Sequence, residues 1–339
     1  MKSKVRAIVF QQHGVPAEVA RWAEMEVAEL AADEARVRLL AAPINPADLN
    51  VIEGKYPTRP ALPGVPGMEG VGVVEAVGGG VTELRAGDRV LLPPRYGTWR
   101  EAGVVKAKEL RAVPTGIATE QAAMLRINPA TALRMLRDFV ELKAGDWVLQ
   151  NAANSAVGRA VIQLARVSGW RTVNVVRRAE LIDEMKTAGA DVVLVDGDEL
   201  PAQIAAVTGG AAARLALNAV GGDCAVRLAQ ALAPGGTIVT YGAMSRQPLR
   251  IPNGLLIFQD IRWRGFWISQ WYRSASEESI GKMFAELFDL AGRGVVHAPV
   301  ERIYPLAEAS AALAHAAQGR RAGKILFGGE AWFSAQAKG

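Results

Sequence analysis

Cysteine is nearly absent from this sequence. Among 339 residues there is only Cys224, so no intramolecular disulfide can form. Histidine is almost as scarce, and His13, His297 and His315 are too scattered to suggest a metal cluster. Such usage fits a reducing compartment. Aromatic residues make up 6% of the chain against 50% hydrophobic residues, the profile of an Ala/Val/Leu-rich soluble globular protein. Long apolar runs are missing too: none is long enough to span a bilayer, and the opening MKSKVRAIVFQQHG is interrupted at Gln11 and Gln12, short of a signal-peptide core. The expectation is a cytoplasmic protein, neither exported nor imported, with no membrane contact. Blocks of like charge are also lacking, because 39 basic and 34 acidic residues are spread along the chain to a net +5. The densest basic spots, RWRGF at Arg262 and GRRAGK at Gly319, read as solvated charge. No nucleic-acid motif is present, so the balance suits a phosphate-bearing small molecule or an acidic carrier protein.

What is present is a two-part pattern, as the length suggests. Residues 123–270 alternate short apolar runs with helical stretches: Trp147–Leu149, Thr172–Val176, Val192–Val195, Leu215–Val220, Thr237–Tyr241 and Trp263–Ile268. Strands spaced by helices imply parallel βαβ units, and six of them make a doubly wound α/β domain. Residues 1–122 are rich in Gly and Pro with short β-type runs (Ala35–Leu40, Val71–Val77, Arg89–Leu92, Gly103–Val105), which predicts an irregular all-β domain. Residues 271–339 hold a helical segment, ERIYPL, a second helix and GKILF, and are expected to return to that first domain.

Glycine is missing where a dinucleotide-binding turn has it. In VLQNAANSAVGRAVIQLA, from Val148, the three positions of G-x-G-x-x-G read Ala153, Ser155 and Gly158. Ala and Ser serve where no positive φ is required, so the stretch reads either as a cofactor loop or as an ordinary strand-to-helix turn. The next strand favours the cofactor. RTVNVVRRAE ends in Arg177 and Arg178, with no acid from Asn174 to Ala179, and arginine there suits the 2′-phosphate of NADPH where an acid would suit NADH. The bland alternative is a solvated pair at a helix start.

Taken in order, NPADLNVIEGKYP at Asn45, PGMEGVGVVEAVGGGV at Pro66, GTWREA at Gly97, INPATALRML at Ile127, VLQNAANSAVG and FWISQW at Phe266 resemble the medium-chain dehydrogenase/reductases, and within them the trans-2-enoyl thioester reductases of mitochondrial fatty-acid synthesis. The resemblance covers almost the whole chain. It implies a GroES-like catalytic domain interrupted by a Rossmann domain with a six-stranded parallel sheet, an active site in the cleft between them, and a homodimer. For NADPH it implies Asn128; the loop Asn154, Ser155, Ala156 and Val157; Arg177, Arg178 and Ala179; Tyr241, Gly242, Ala243 and Met244; Phe266, Trp267, Ile268 and Ser269; and Lys324. The bland alternative for Phe266 and Trp267 is core packing at a strand end. Arg126, before INPATA, departs from the small residue the resemblance implies.

No metal is expected. Zinc alcohol dehydrogenases of the superfamily carry Cys near Ala47 or Asp48 and His in a G-H-E turn, whereas this turn reads Gly67, Met68, Glu69, Gly70. Without zinc to polarise an alcohol, the natural reaction is reduction of a conjugated C=C bond of an acyl thioester, delivered as CoA ester or on acyl carrier protein. Hydride would go to the β-carbon, and a hydrogen-bond donor would stabilise the enolate. Tyr56, in the Gly/Pro-flanked loop EGKYP where the matched family carries its active-site tyrosine, is the candidate, although a lone loop tyrosine is often incidental. Asn45 and Trp271 are candidates for shaping the substrate cleft. A quinone or alkenal reductase and a non-catalytic NADPH-binding protein are the alternatives.

Overall fold

A computed structural model of the chain describes residues 3–336. The chain forms two compact units, one reaching to Ile127 and resuming at Phe288, the other continuous from Asn128 to Leu287. The first segment contributes β1 (Ser3–Phe10), β2 (Ala20–Val27), β3 (Glu34–Pro43), β4 (Val71–Val77), β5 (Arg89–Leu91), β6 (Ala102–Lys106) and β7 (Arg111–Ala112). In β3, Ala35, Val37, Leu39 and Ala41 are buried while Glu34, Arg36 and Arg38 are partly exposed, the period-two alternation of a half-buried strand. The antiparallel pair β1 and β2, in register from Ser3 against Val27 to Phe10 against Ala20, is an addition to the strands expected from sequence. Arg21, Glu24 and Glu26 break β2 into pieces too short to stand out as an apolar run.

The second unit carries β8 (Trp147–Asn151), β9 (Arg171–Val176), β10 (Val192–Val195), β11 (Ala213–Asn218), β12 (Leu232–Thr240) and β13 (Arg262–Gly265). All pair in parallel, in the order β10-β9-β8-β11-β12-β13. Numbered within the unit, this is 3-2-1-4-5-6, the doubly wound dinucleotide-binding order, with its reversal between β8 and β11. Two expected strands ran past the observed ends. β11 stops at Asn218 because that side chain takes the N–H groups of Val220 and Gly221. β13 stops at Gly265, and Ile268 opens the helix Ile268–Ser274.

The return segment supplies β14 (Val300–Pro305) and β15 (Lys324–Gly328). β15 lies between β14 and β3, giving a sheet of order β14-β15-β3-β4-β5-β7 with β6 also on β3. Behind it Phe10, Trp99 and Phe327 are fully buried, with the Trp99 and Phe327 rings edge to face at 5.0 Å. Each large apolar side chain buried here contributes about 1.5–3 kcal/mol.

Candidate active site

In the second unit the sequence candidates collect at the carboxyl ends of parallel strands, where ligands of such sheets bind. The loop after β8 ends at Ser155, whose Oγ accepts the Gly158 N–H at 3.1 Å and caps the helix Ala156–Val167. Val157, Ala160, Val161, Leu164 and Ala165 anchor that helix in the core. The uncapped N–H groups of its first turn are suited to an anion.

Of the three fingerprint glycines only Gly158 is kept. A Cβ there would lie 2.5 Å from the Ala153 carbonyl oxygen and 2.7 Å from the Ala153 Cα. The helix start therefore packs on the loop backbone itself. Gly158→Ala is expected to cost about 1–3 kcal/mol of stability as an overpacked contact. Urea unfolding measures this, and an unchanged midpoint would show that the loop has room to yield.

Arg177 and Arg178 follow β9, the neighbour of β8. Arg177 is exposed, and Arg178 is half-buried with its guanidinium 3.9 Å from Glu180. Ala179 begins the short helical turn that follows. After β12, the segment Tyr241 to Met244 is tied to the end of β11 by N–H bonds from Tyr241 to Asn218 O and from Met244 to Ala219 O. The Tyr241 hydroxyl lies near Ser155, is buried, and makes no hydrogen bond of standard geometry among the described residues. Burial pushes its pKa up. An orphaned hydroxyl beside a capped helix start fits a ligand oxygen such as that of a dinucleotide.

After β13, Phe266 meets Phe139 edge on, and Trp267 lies under the Arg273 guanidinium, 4.6 Å from the ring centroid. Ile268 is buried and Ser269 partly so, in the helix that also carries Trp271. Trp271 in turn lies beneath Arg134 at 4.8 Å. Asn128 opens the helix Asn128–Asp138.

The sequence reading missed Asn151 and Asn218, which end β8 and β11 on either side of the reversal point. Asn151 donates to Asn218 Oδ1 at 2.9 Å and accepts the Ala219 N–H at 2.7 Å. Asn218 Oδ1 also takes the N–H groups of Val220 and Gly221, so the pair fixes the backbone leaving β11. Their one sequence signal is an asparagine closing each of two otherwise apolar strands.

The first unit holds the remaining candidates around the helix Pro46–Ile52. Pro46 opens the helix, and Asp48 Oδ2 accepts the Asn45 N–H at 2.8 Å. At its other end Gly54 takes φ +71°, a position where a Cβ would lie 2.8 Å from the His13 ring. The Gly54 N–H bonds to Val51 O and the Lys55 N–H to Asn50 O, the paired bonds of a Schellman cap. Tyr56 follows directly, half-buried, its own N–H on Asn50 O at 3.2 Å. The tyrosine thus stands on a fixed turn.

Asn45 and Lys324, assigned from sequence to different roles, are directly bonded. Lys324 Nζ donates to Asn45 Oδ1 at 2.6 Å and to Ile44 O at 3.0 Å. Asn45 Nδ2 donates to Glu69 Oε1 at 2.8 Å, and Glu69 Oε2 takes the Ile127 N–H at 2.9 Å. Asp48 Oδ1 takes the Met68 N–H at 2.9 Å. Burial raises the carboxyls of Asp48 and Glu69 to about 7 and lowers the Lys324 ammonium to about 8, each opposed by the charge of its partners. Arg126, one residue before Ile127, is buried. Met68 occupies the turn where a zinc enzyme has histidine, and among the described residues no three His, Cys, Asp or Glu side chains come together to hold a metal.

A 3-2-1-4-5-6 sheet inserted in sequence into an irregular β domain is the arrangement of the medium-chain dehydrogenase/reductases. Residues 31–124 match the alcohol dehydrogenase GroES-like domain, and residues 156–286 the zinc-binding dehydrogenase domain. The mitochondrial enoyl-[acyl-carrier-protein] reductase of Bos taurus is 44% identical over 318 residues, which span 92% of this chain and 85% of that protein. The solved complex of Etr1p with NADP and crotonyl-CoA is similar with a TM-score of 0.88 and 27% identity, over 96% of this chain and all of that one. A putative NADPH:quinone reductase from Bacillus thuringiensis has a TM-score of 0.89 at 30% identity, over 96% of this chain and 99% of that one. The chain belongs to the enoyl-[acyl-carrier-protein] reductase family of the medium-chain dehydrogenase/reductases.

The cytoplasmic expectation is corrected by these relatives, since the bovine, human, mouse and nematode proteins are all mitochondrial by name. Mitochondrial transit peptides are amphipathic and Arg-rich rather than continuously apolar, so the lack of a signal-peptide core does not separate the two compartments.

Proposed function

We propose that the protein reduces the C=C bond of a 2-enoyl thioester with NADPH. Kinship with Etr1p, solved with NADP and crotonyl-CoA, is the observation that carries this reading. NADPH supplies hydride to the β-carbon. Ser155 and the helix start behind it hold the pyrophosphate, while Arg177 and Arg178 hold the 2′-phosphate. The segments 241–244 and 266–269, with Asn128 and Lys324, complete the cofactor contacts. Tyr56 donates a hydrogen bond to the thioester oxygen as charge develops there and passes a proton to the α-carbon. Asn45 and Trp271 shape the acyl site.

The similarity to a quinone reductase of nearly the same fold supports a second reading, reduction of a quinone or alkenal. NADPH oxidation measured with hexenoyl-CoA, the same acyl group on carrier protein, a quinone and an alkenal tests both. The highest kcat/KM is expected for a thioester. A higher value for the quinone would replace the first reading with the second.

The working form we propose is a homodimer joined along the edge of the second unit's sheet. Among the described residues β13 pairs only with β12, which leaves its outer edge open. Just before it, Leu256, Ile257 and Phe258 are 44%, 70% and 84% exposed, an apolar cluster of the kind interfaces cover. Light scattering is expected to give twice the 36.0 kDa chain mass, falling to one chain in Ile257→Glu/Phe258→Glu. A double variant that keeps the larger mass would move the interface elsewhere.

A further inference from the structure

The half-buried cation Lys324 faces two buried carboxylates across one asparagine. The amide orientation of Asn45 is fixed by its partners, because only Oδ1 can accept from an ammonium and only Nδ2 can donate to the Glu69 carboxylate. Negative charge on Glu69 polarises the amide and strengthens its hold on Nζ. Ile44 O takes a second N–H of the ammonium. Among the described residues no third acceptor is bonded to Nζ, so one N–H is left to present.

We propose that Glu69 is a positioning residue which, through Asn45, holds Lys324 in place and charged for an anionic group of the nicotinamide cofactor. This rests on the reading of Lys324 as a cofactor contact. Asp48 supports the arrangement differently: it takes the N–H groups of Asn45 and Met68, joining the backbone on either side of the bridge. Both oxygens of Glu69 face N–H donors, an acceptor role that suits the carboxylate form.

The charged groups acting on Lys324 are Glu69 and Asp48, which favour its cationic form, and Arg321, which opposes it. Burial lowers the Lys324 pKa to about 8 in spite of the carboxylates. Affinity that depends on the cation is therefore full below that pH and fades as pH rises through it. Removing the Glu69 charge takes away a group that raises the lysine, so the fading begins at lower pH.

The test is NADPH affinity by fluorescence titration from pH 6 to 9.5 in the intact protein and its variants. Glu69→Gln is expected to move the alkaline loss of affinity down by about one pH unit. Lys324→Arg, whose charge persists, should abolish that loss both alone and combined with Glu69→Gln. If Glu69→Gln does not fold, Asn45→Ala, which removes both the acceptor on Nζ and the link through which Glu69 acts, is expected to move the loss in the same direction. A profile that stays in place in the folded variant, while Lys324→Met weakens NADPH binding, overturns the role of Glu69. Should Lys324→Met leave NADPH affinity unchanged across the range, the underlying cofactor contact is what fails.

Discussion

Tyr56→Phe is expected to lower kcat for an enoyl thioester by about 10²–10⁴-fold, the range for a positioned acid. Hydride addition at the β-carbon places negative charge on the thioester oxygen, and a fixed hydroxyl stabilises that charge without reorganising at the moment of reaction. The Schellman cap at Gly54 supplies the fixity, because it determines the chain direction within two residues of Tyr56. Phenylalanine keeps the ring and removes only the hydroxyl, so NADPH affinity should hardly change. If the ring is merely a wall of the acyl pocket, the variant retains most of the rate. Steady-state kinetics beside an NADPH titration separates the two. A kcat within a fewfold of the parent, with chemistry shown to be rate-limiting by a deuteride isotope effect, would remove Tyr56 from proton transfer and leave water as the source.

Replacing Arg177 and Arg178 together with alanine should erase most of the preference for NADPH over NADH. A charge-assisted bond to phosphate is worth roughly 1.5–3 kcal/mol, about ten- to more than a hundredfold, so two such bonds support a preference of about a hundredfold or more. Solvent screening at the exposed Arg177 places its share at the lower end. The variant should bind NADPH about as weakly as the parent binds NADH, with little change for NADH itself. Equal binding of the two cofactors by the parent protein would end this assignment.

Much of the architecture could be read from the chain before folding. The six strands of the second unit are apolar runs spaced by helix-length segments, and the arginine pair sits at a fixed offset from the loop, so local pattern was sufficient. Contacts set by sheet pairing were not legible. Lys324 and Asn45 are 279 residues apart and meet because β15 lies against β3, with Leu326 opposite Pro43 and the Ile44 N–H on Ile325 O. No periodicity reports such a neighbour. That Glu69 bonds Asn45 was not legible either, since the two lie 24 residues apart in the chain. The ends of β11 and β13 were misjudged because side-chain capping and a helix start compete with strand propensity there.

The first unit is discontinuous, and this gives the chain an order of assembly on the ribosome. Every strand of the second unit precedes β14, so that unit can complete its parallel sheet while the first still lacks β14 and β15. Until β15 emerges, the β3 edge that receives it is unpaired over Ala41 to Pro43, and the Ile44 N–H lacks its acceptor. Lys324 arrives with that same strand. Closure of the sheet and formation of the Lys324 to Asn45 bond are thus one late event in synthesis, and a nascent chain halted before Lys324 has its nucleotide-binding sheet but an unfinished first unit.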